Sequence, residues 1–379
     1  MGKFQFFRNA VVMTFACLLY HISWVSFDMG TACNDRVVEG FNEISMDAIL
    51  NASSRKSMPV PASTGNGTTI VSAYYPMDSK HSSTKYNTWM RNFFAMTDLM
   101  VVFTSSAFYP TVKSIIESQN ATDRVELITL ELNATDTSLM FDTSVWEKQY
   151  QMDPEKHRYK SYEVRHTLAY SNTTCTRRLV QCLTPFSPTT AHIQIYWVWL
   201  AKPEFIRRAV ALNPHQSNFF AWVDIGYFRV AKWAGHKMLN KIPPNLAMDQ
   251  TLMLDVNFGA HETHLAKPDP MALTVGGGFI GGYIPAIYRW NRLFFGLLRQ
   301  RQHEFFGKDQ PYMYRTCFVE EKTCLLVKTG KETFGDPWFF MAPFMIMGER
   351  ASHARTWVPS VDTIGQPYDK IVEPPVDER

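Results

Sequence analysis

The first half of the chain alternates apolar strand-like runs with helical patterns. β-branched and aromatic residues bounded by turn residues predict strands at 69–75, 99–104 and 125–130. Apolar side chains at helical spacing predict helices at 83–96 and 109–118. Strands that alternate with helices predict a parallel sheet with helices on both faces. In such sheets ligands bind beyond the carboxyl ends of the strands.

The second half of the chain continues the pattern after a polar, irregular stretch at 140–187. We expect a helix at 192–211, a strand at 219–224, a strand at 273–275 that leads into a glycine-rich turn at 276–282, and a long amphipathic helix at 285–302. The expected fold class is therefore α/β, with a single Rossmann-like domain around a mostly parallel central sheet.

An apolar segment at residues 10–27 precedes this domain, with Lys3 and Arg8 before it and acidic residues after it. Its length is near the lower limit for a bilayer span and long for a cleaved signal peptide. The basic flank favours an N-terminus in the cytosol. Three alternatives stay open, namely a membrane anchor, a cleaved signal peptide and a buried core helix, and the first two are favoured.

These patterns divide the chain into four parts. We expect a signal-anchor or signal peptide at 1–27, a Pro/Ser/Gly-rich stem or linker at 28–68, the α/β domain at 69–349 and a C-terminal tail at 350–379. An anchored chain would be a single-pass type II protein of the Golgi or endoplasmic reticulum lumen. A cleaved segment would release a secreted protein.

Sequons and cysteines also indicate a lumenal setting. Five Asn-x-Ser/Thr sequons precede Thr190, and they are at Asn51, Asn66, Asn120, Asn133 and Asn172. Cys175 with Cys182, and Cys317 with Cys324, would each close a short loop as a disulfide in an oxidising compartment. Buried thiols or a metal site are the alternatives. The remaining Cys33 is either free or able to cross-link two chains as a dimer.

The composition and net charge of the chain exclude few classes of function. The chain has 379 residues, 46% of them hydrophobic, and a net charge of +3. This content is ample for a large core, and the small net charge implies no nucleic-acid partner. The sequence lacks the G-x-S-x-G, H-E-x-x-H and protein-kinase motifs.

Three segments are candidates for chemistry. Asp224 ends an apolar strand, Gly226 permits close approach of a ligand to the backbone, and Arg229 is able to pair with a phosphate. Gly276, Gly277 and Gly278 begin the glycine-rich segment, and Asp309 with Gln310 follows the long helix. Each segment also has a purely structural interpretation. Asp224 would cap a turn, the glycines would form a tight buried turn, and the segment with Asp309 would be an ordinary helix N-cap.

Together these segments resemble the HtrL/YibB family of glycosyltransferase-like proteins, over about residues 69–345. Four blocks of sequence carry the resemblance. The first is 71–76 with 79–82 and 86–93, and the second runs from 199–205 through 213–214 to 222–229. The third is 276–282, and the fourth is 307–310 with 338–340. The family is grouped with enzymes of the GT-A fold, which transfer a sugar from a nucleotide donor, often with Mn²⁺.

The resemblance implies roles for particular residues. Ala73 and Tyr74 would lie against the nucleotide base, and Asp224 would be the carboxylate for metal and ribose. Lys80 and Arg229 are the basic candidates for the diphosphate. The glycine turn would border a glycan or glycoprotein acceptor, with Asp309 and Gln310 beside the transferred sugar.

One departure from the family's enzymes concerns the metal. Ile225 and Gly226 follow Asp224, so there is no Asp-x-Asp pair, and dependence on Mn²⁺ or Mg²⁺ stays open. The rival interpretations are a non-catalytic glycan- or protein-binding module on a degenerate GT-A scaffold, and a mainly structural membrane-tethered ectodomain.

Overall fold

The apolar runs of the sequence form one twisted sheet. The computed structural model of the chain describes residues 67–77, 81–156, 188–256, 275–328, 336–348 and 355–359. The strands are β1 Gly67–Tyr74, β2 Leu99–Thr104, β3 Val125–Thr129, β4 Ser217–Val223, β5 Thr251–Asp255, β6 Val275–Tyr283, β7 Cys324–Lys328 and β8 Arg355–Trp357. Their spatial order is β3-β2-β1-β4-β6-β5-β7-β8. β6 and β8 run antiparallel to the other strands, so the sheet is mixed but mostly parallel.

Helices connect and cover these strands. They are α1 Ser83–Phe94, α2 Tyr109–Ser118, α3 Asp136–Leu139, α4 Thr143–Met152, α5 Pro188–Leu200, α6 Lys202–Leu212, α7 Ile284–Gln300, α8 Asp309–Thr316 and α9 Met341–Met347. The Ser82 side chain caps the start of α1, and Asn213 ends α6 in the left-handed conformation. All these elements fall within one unit, Pro59–Arg379.

Both faces of the sheet are covered, as the sequence pattern predicts. Ile70 and Ala221 belong to the core that α1, α2 and α9 close on one face. On the other face the Phe205 ring of α6 lies 5.2 Å from that of Phe103 and 5.7 Å from that of Trp222. Successive strand residues therefore face opposite helical layers, which explains why these strands are apolar throughout.

Several elements differ from the sequence-based expectation. The glycine-rich segment at 276–282 is not a turn, because it is the middle of β6 and pairs with both β4 and β5. The single helix expected at 192–211 is two, α5 and α6, which meet at Ala201. Residues 143–152, expected to be irregular, form α4. Residues 355–357, assigned to a tail, form β8 and pair with β7.

One of the two predicted disulfides is confirmed. The sulfur atoms of Cys317 and Cys324 are 2.13 Å apart, and the bond joins the residue after α8 to the first residue of β7. Cys175 and Cys182 lie outside the described residues, as do Cys33 and the apolar segment at 10–27. None of the helices within the described ranges is long and apolar enough to span a bilayer.

The strand order creates a topological switch point beside β1. The chain moves outward from β1 to β2 and β3, then returns to β4 on the other side of β1. Connections therefore leave the carboxyl ends of β1 and β4 in opposite directions, which is where open α/β sheets bind ligands. The Ser72 hydroxyl donates to the Val223 carbonyl at 2.7 Å and fastens these two strand ends together.

Candidate functional site

A buried lysine joins two carboxylates at this edge of the sheet. Asp224 follows the last residue of β4, Lys202 is the first residue of α6, and Asp309 is the first residue of α8. The Lys202 ammonium lies 2.8 Å from Asp309 Oδ2 and 3.4 Å from Asp224 Oδ1. We call these three residues the charged triad.

Asp224 is the member of the triad that faces outward. Its side chain is 43% exposed. Trp222 Nε1 donates to its Oδ1 at 2.7 Å, and its backbone N–H donates to the Gly278 carbonyl at 3.0 Å. Within the described part of the chain, no hydrogen bond or ion pair engages Oδ2. One oxygen of this carboxylate is therefore anchored, and the other is available to a ligand.

Lys202 is the buried centre of the triad, with 6% of its side chain exposed. Its ammonium also donates to the Gly277 carbonyl at 2.8 Å, so three oxygen atoms lie within 3.4 Å of it. Burial alone would lower the pKa of Lys202, but Asp224 and Asp309 outweigh burial and raise it. Lys202 is therefore charged at neutral pH.

Asp309 is almost fully enclosed, with 8% of its side chain exposed. Its Oδ1 accepts from the backbone N–H of Gln310 at 2.9 Å. Burial raises the pKa of Asp309, and the nearby Lys202 only partly opposes this. The Gln310 side chain turns to β6, where its Nε2 donates to the Val275 carbonyl at 3.1 Å.

The glycines of β6 give the triad its space. A Cβ atom on Gly277 would lie 2.9 Å from Asp309 Oδ2 and 3.3 Å from Lys202 Nζ. A Cβ atom on Gly278 would lie 3.1 Å from the Tyr227 ring and 3.5 Å from Asp224 Oδ2. These two glycines therefore touch the triad directly, whereas Gly276 faces apolar neighbours on and beyond β5.

Arg229 lies between two aromatic rings. Its guanidinium carbon is 5.0 Å from the centroid of Trp89 and 4.6 Å from that of Phe339. The residue is exposed, and no carboxylate pairs with it among the described residues. The rings fix the guanidinium without neutralising it, which suits a binding site for an anion.

Further aromatic residues continue from Arg229 toward the end of β1. The Tyr86 ring is 5.2 Å from that of Trp89 and 6.0 Å from that of Tyr74. Tyr74 and Ala73 are both buried, and Tyr86 is only partly buried. Tyr86 is therefore the least buried of these three rings.

The structure brings together most of the residues that the sequence singled out. Asp224, Asp309, Gly277 and Gly278 lie together at the triad, whereas Gly276 faces away from it. Asp224 and the glycines are neighbours on paired strands rather than opposite walls of a crevice. Lys80 lies outside the described residues. Of the five sequons, Asn120 and Asn133 are described and exposed, and Asn51, Asn66 and Asn172 are not described.

Sequence reasoning missed Lys202. It stands in the apolar stretch 197–206 next to Glu204, and both charged side chains are buried. Two opposite charges inside an apolar run are a signal that they have buried partners, because an unpaired buried charge is costly. Glu204 is not part of the triad. Its carboxylate accepts hydrogen bonds from the backbone N–H groups of Asp136 and Thr137 at the start of α3.

The donor set of the triad does not fit a divalent metal ion. Asp224 and Asp309 are oxygen ligands of the type that Mn²⁺ and Mg²⁺ prefer, but a cationic nitrogen already lies between them. Across the described ranges, no three side chains of His, Cys, Asp or Glu form a group suited to a metal.

No protein-family model matches the chain. No curated protein is significantly similar to it.

Proposed function

We propose that the protein is a glycosyltransferase of the GT-A kind, similar to the HtrL/YibB family, that moves a sugar from a nucleotide-sugar to a glycan or protein hydroxyl. The observation that carries the proposal is the exposed Asp224 carboxylate at the β1/β4 switch point. Crevices at such switch points bind nucleotides in many α/β proteins.

The groups around the switch point suit the parts of a nucleotide-sugar. The partly buried ring of Tyr86 would stack on the base, and Asp224 Oδ2 is able to accept hydrogen bonds from sugar hydroxyls. Arg229 supplies a positive charge for the diphosphate. One ligand of this class would use all three groups.

In the proposed reaction the bond between the anomeric carbon and the diphosphate oxygen breaks, and the bonding electrons leave with the diphosphate. Arg229 stabilises that developing charge. The acceptor oxygen forms the new bond to the anomeric carbon. If configuration inverts, a carboxylate takes the acceptor's proton, and Asp224, whose exposed Oδ2 is available, is the member of the triad that an acceptor is able to reach.

The proposed setting is the lumen of the endomembrane system, with the apolar segment at 10–27 as anchor. The sequons and the Cys317–Cys324 disulfide support this setting, because disulfides persist in oxidising compartments. Asn120 and Asn133 are exposed, as glycan-bearing asparagines must be.

The test is turnover of a panel of nucleotide-sugars by the purified full-length chain and by its Asp224→Asn variant. Asparagine keeps the Oδ1 atom that accepts from Trp222, but it removes the charge. We expect kcat to fall about 100-fold or more in Asp224→Asn.

The matched control is Asp123→Asn. Asp123 is 83% exposed and precedes β3, at the opposite edge of the sheet, so its loss should leave turnover unchanged. The proposal fails if the wild-type chain neither binds nor turns over any donor of the panel.

The principal alternative is a non-catalytic glycan- or protein-binding module on the same scaffold. The lysine between the two carboxylates favours it, because that pair is partly neutralised. This alternative expects glycan binding that needs no nucleotide and persists in Asp224→Ala. Saturable binding of a nucleoside diphosphate at micromolar concentration would contradict it.

A further inference from the structure

We propose that the ammonium group of Lys202 takes the place between Asp224 and Asp309 that a divalent cation would otherwise occupy, and that the site binds its ligand without a metal ion. This inference rests on the proposed function for the identity of the ligand. The position of the Lys202 ammonium does not depend on the proposed function, because it follows from the distances to the two carboxylates.

The Lys202 ammonium already fills the space between the two carboxylates. Lys202 Nζ lies 2.8 Å from one carboxylate and 3.4 Å from the other. Mg²⁺ binds oxygen ligands at about 2.0–2.1 Å, so an ion between these carboxylates would overlap the ammonium. The two positive charges would also repel each other at short range, in a site sheltered from water.

Several elements of the fold together hold the lysine in this place. The triad comes from the end of β4 and the starts of α6 and α8, and the backbone of β6 completes it through the Gly277 carbonyl. A Cβ atom on Gly277 would crowd both Lys202 and Asp309. The site therefore has a dedicated place for the ammonium, which an incidental surface ion pair would not have.

Protein oxygen atoms surround the Lys202 ammonium and leave it no direct contact with a ligand. It donates to Gly277 and forms ion pairs with both carboxylates, so Lys202 is a positioning residue that fixes Asp224 and Asp309. Within the described residues Asp224 Oδ2 makes no hydrogen bond or ion pair, so it is the triad oxygen available to a ligand. Charge on a diphosphate is then balanced by basic side chains such as Arg229 rather than by a metal.

The test measures Mn²⁺ binding by electron paramagnetic resonance at neutral pH, with the full-length chain and no sugar donor. We compare wild type with Lys202→Ala and Lys202→Gln. Removal of the ammonium leaves two adjacent carboxylates, so both variants should bind Mn²⁺ on the order of tenfold more tightly than wild type. Adding Asp309→Asn to either variant should abolish the gain.

The matched control is Lys308→Ala. It removes the same charge one residue before Asp309, but Lys308 pairs with a single carboxylate, that of Glu155, and not with two, so this variant should not gain Mn²⁺ binding. Thermal melting identifies which Lys202 variants fold.

Two results would overturn the inference. One is that a folded Lys202 variant gains no Mn²⁺ binding. The other is that wild type binds Mn²⁺ and Asp224→Asn abolishes this binding, a result that needs no Lys202 variant. Failure of the donor panel would reject sugar transfer but leave the Mn²⁺ comparison intact, so the two proposals fail separately.

Discussion

At the scale of single residues, Gly277 has more influence on the site than its lack of a side chain suggests. Its carbonyl accepts from Lys202, and the space above its Cα holds the contact between Lys202 and Asp309. Any side chain there would compete with two buried charges for the same volume.

Gly277→Ala should lower the free energy of unfolding by about 1–3 kcal/mol through overpacking, and should also weaken ligand binding. The physical reason is that the new methyl group separates Asp309 from Lys202. Urea denaturation measures the first effect. Titration with whichever of UDP, GDP or CDP binds the wild type measures the second.

Gly276→Ala is the control for this substitution. The atoms nearest to its Cβ would belong to Leu254 and Val256, so the substitution should cost stability without weakening ligand binding. Equal loss of binding in both variants would mean that the strand as a whole, and not the ion pair, supports the site.

The sequence predicted some of these residues and not others for a physical reason. Asp224 was predictable because the apolar run before it fixes where the strand ends. Lys202 was not predictable, because its partners Asp224 and Asp309 are distant along the chain. A lysine before Pro203 is also typical of an ordinary helix start.

At the scale of elements, α8 is held at both ends. Asp309 at its start pairs with Lys202, and Cys317 just after its end is bonded to Cys324 of β7. The helix that carries Asp309 is thereby attached to the sheet by a covalent bond as well as by charge.

Replacing both cysteines, as Cys317→Ala with Cys324→Ala, should lower the free energy of unfolding by about 2–3 kcal/mol. The loop they close is short, and the loss comes mainly from greater freedom of the unfolded chain. Chemical denaturation in non-reducing buffer measures the loss. If the same difference persists in a reducing buffer that opens the wild-type bond, the disulfide is not its cause.

Element boundaries were predictable where the pattern was local. β2 and α2 have the bounds that their apolar spacing indicates. β6 was misread as a turn because glycine is depleted in strands and enriched in turns. β6 pairs with β4 and β5, and side chains from other elements lie so close to it that several of its positions have little room for a Cβ atom. This requirement for glycine comes from the tertiary structure and is not visible in the local sequence.

At the scale of the whole molecule, acid stability depends in part on partly buried carboxylates. Burial alone would raise the pKa of Glu304, but hydrogen bonds from Arg315 and Arg301 lower it below its ordinary value. A carboxyl whose folded-state pKa is depressed stabilises the fold above its unfolded pKa, near 4.3, and this stability is lost as pH falls through the folded pKa.

We therefore expect the free energy of unfolding to fall as pH drops below about 4.3. Glu304→Gln should be less stable than wild type at pH 7, and its stability should change less in acid. Urea denaturation across a pH series tests this. Glu117→Gln is the control, since the Glu117 side chain is 52% exposed and its ion pair with Lys113 is long, at 4.0 Å.

The charged triad also has a consequence for how the protein reaches its working state. Lys202, Asp224, Gly277 and Asp309 are widely spaced along the chain, so the strands and helices that carry them must dock before the ligand-facing oxygen of Asp224 is fixed. Contacts between distant segments form late, because each requires the closure of a long loop. During refolding, affinity for the ligand should therefore emerge after helical circular dichroism has recovered, which would make ligand capture a marker of completed folding.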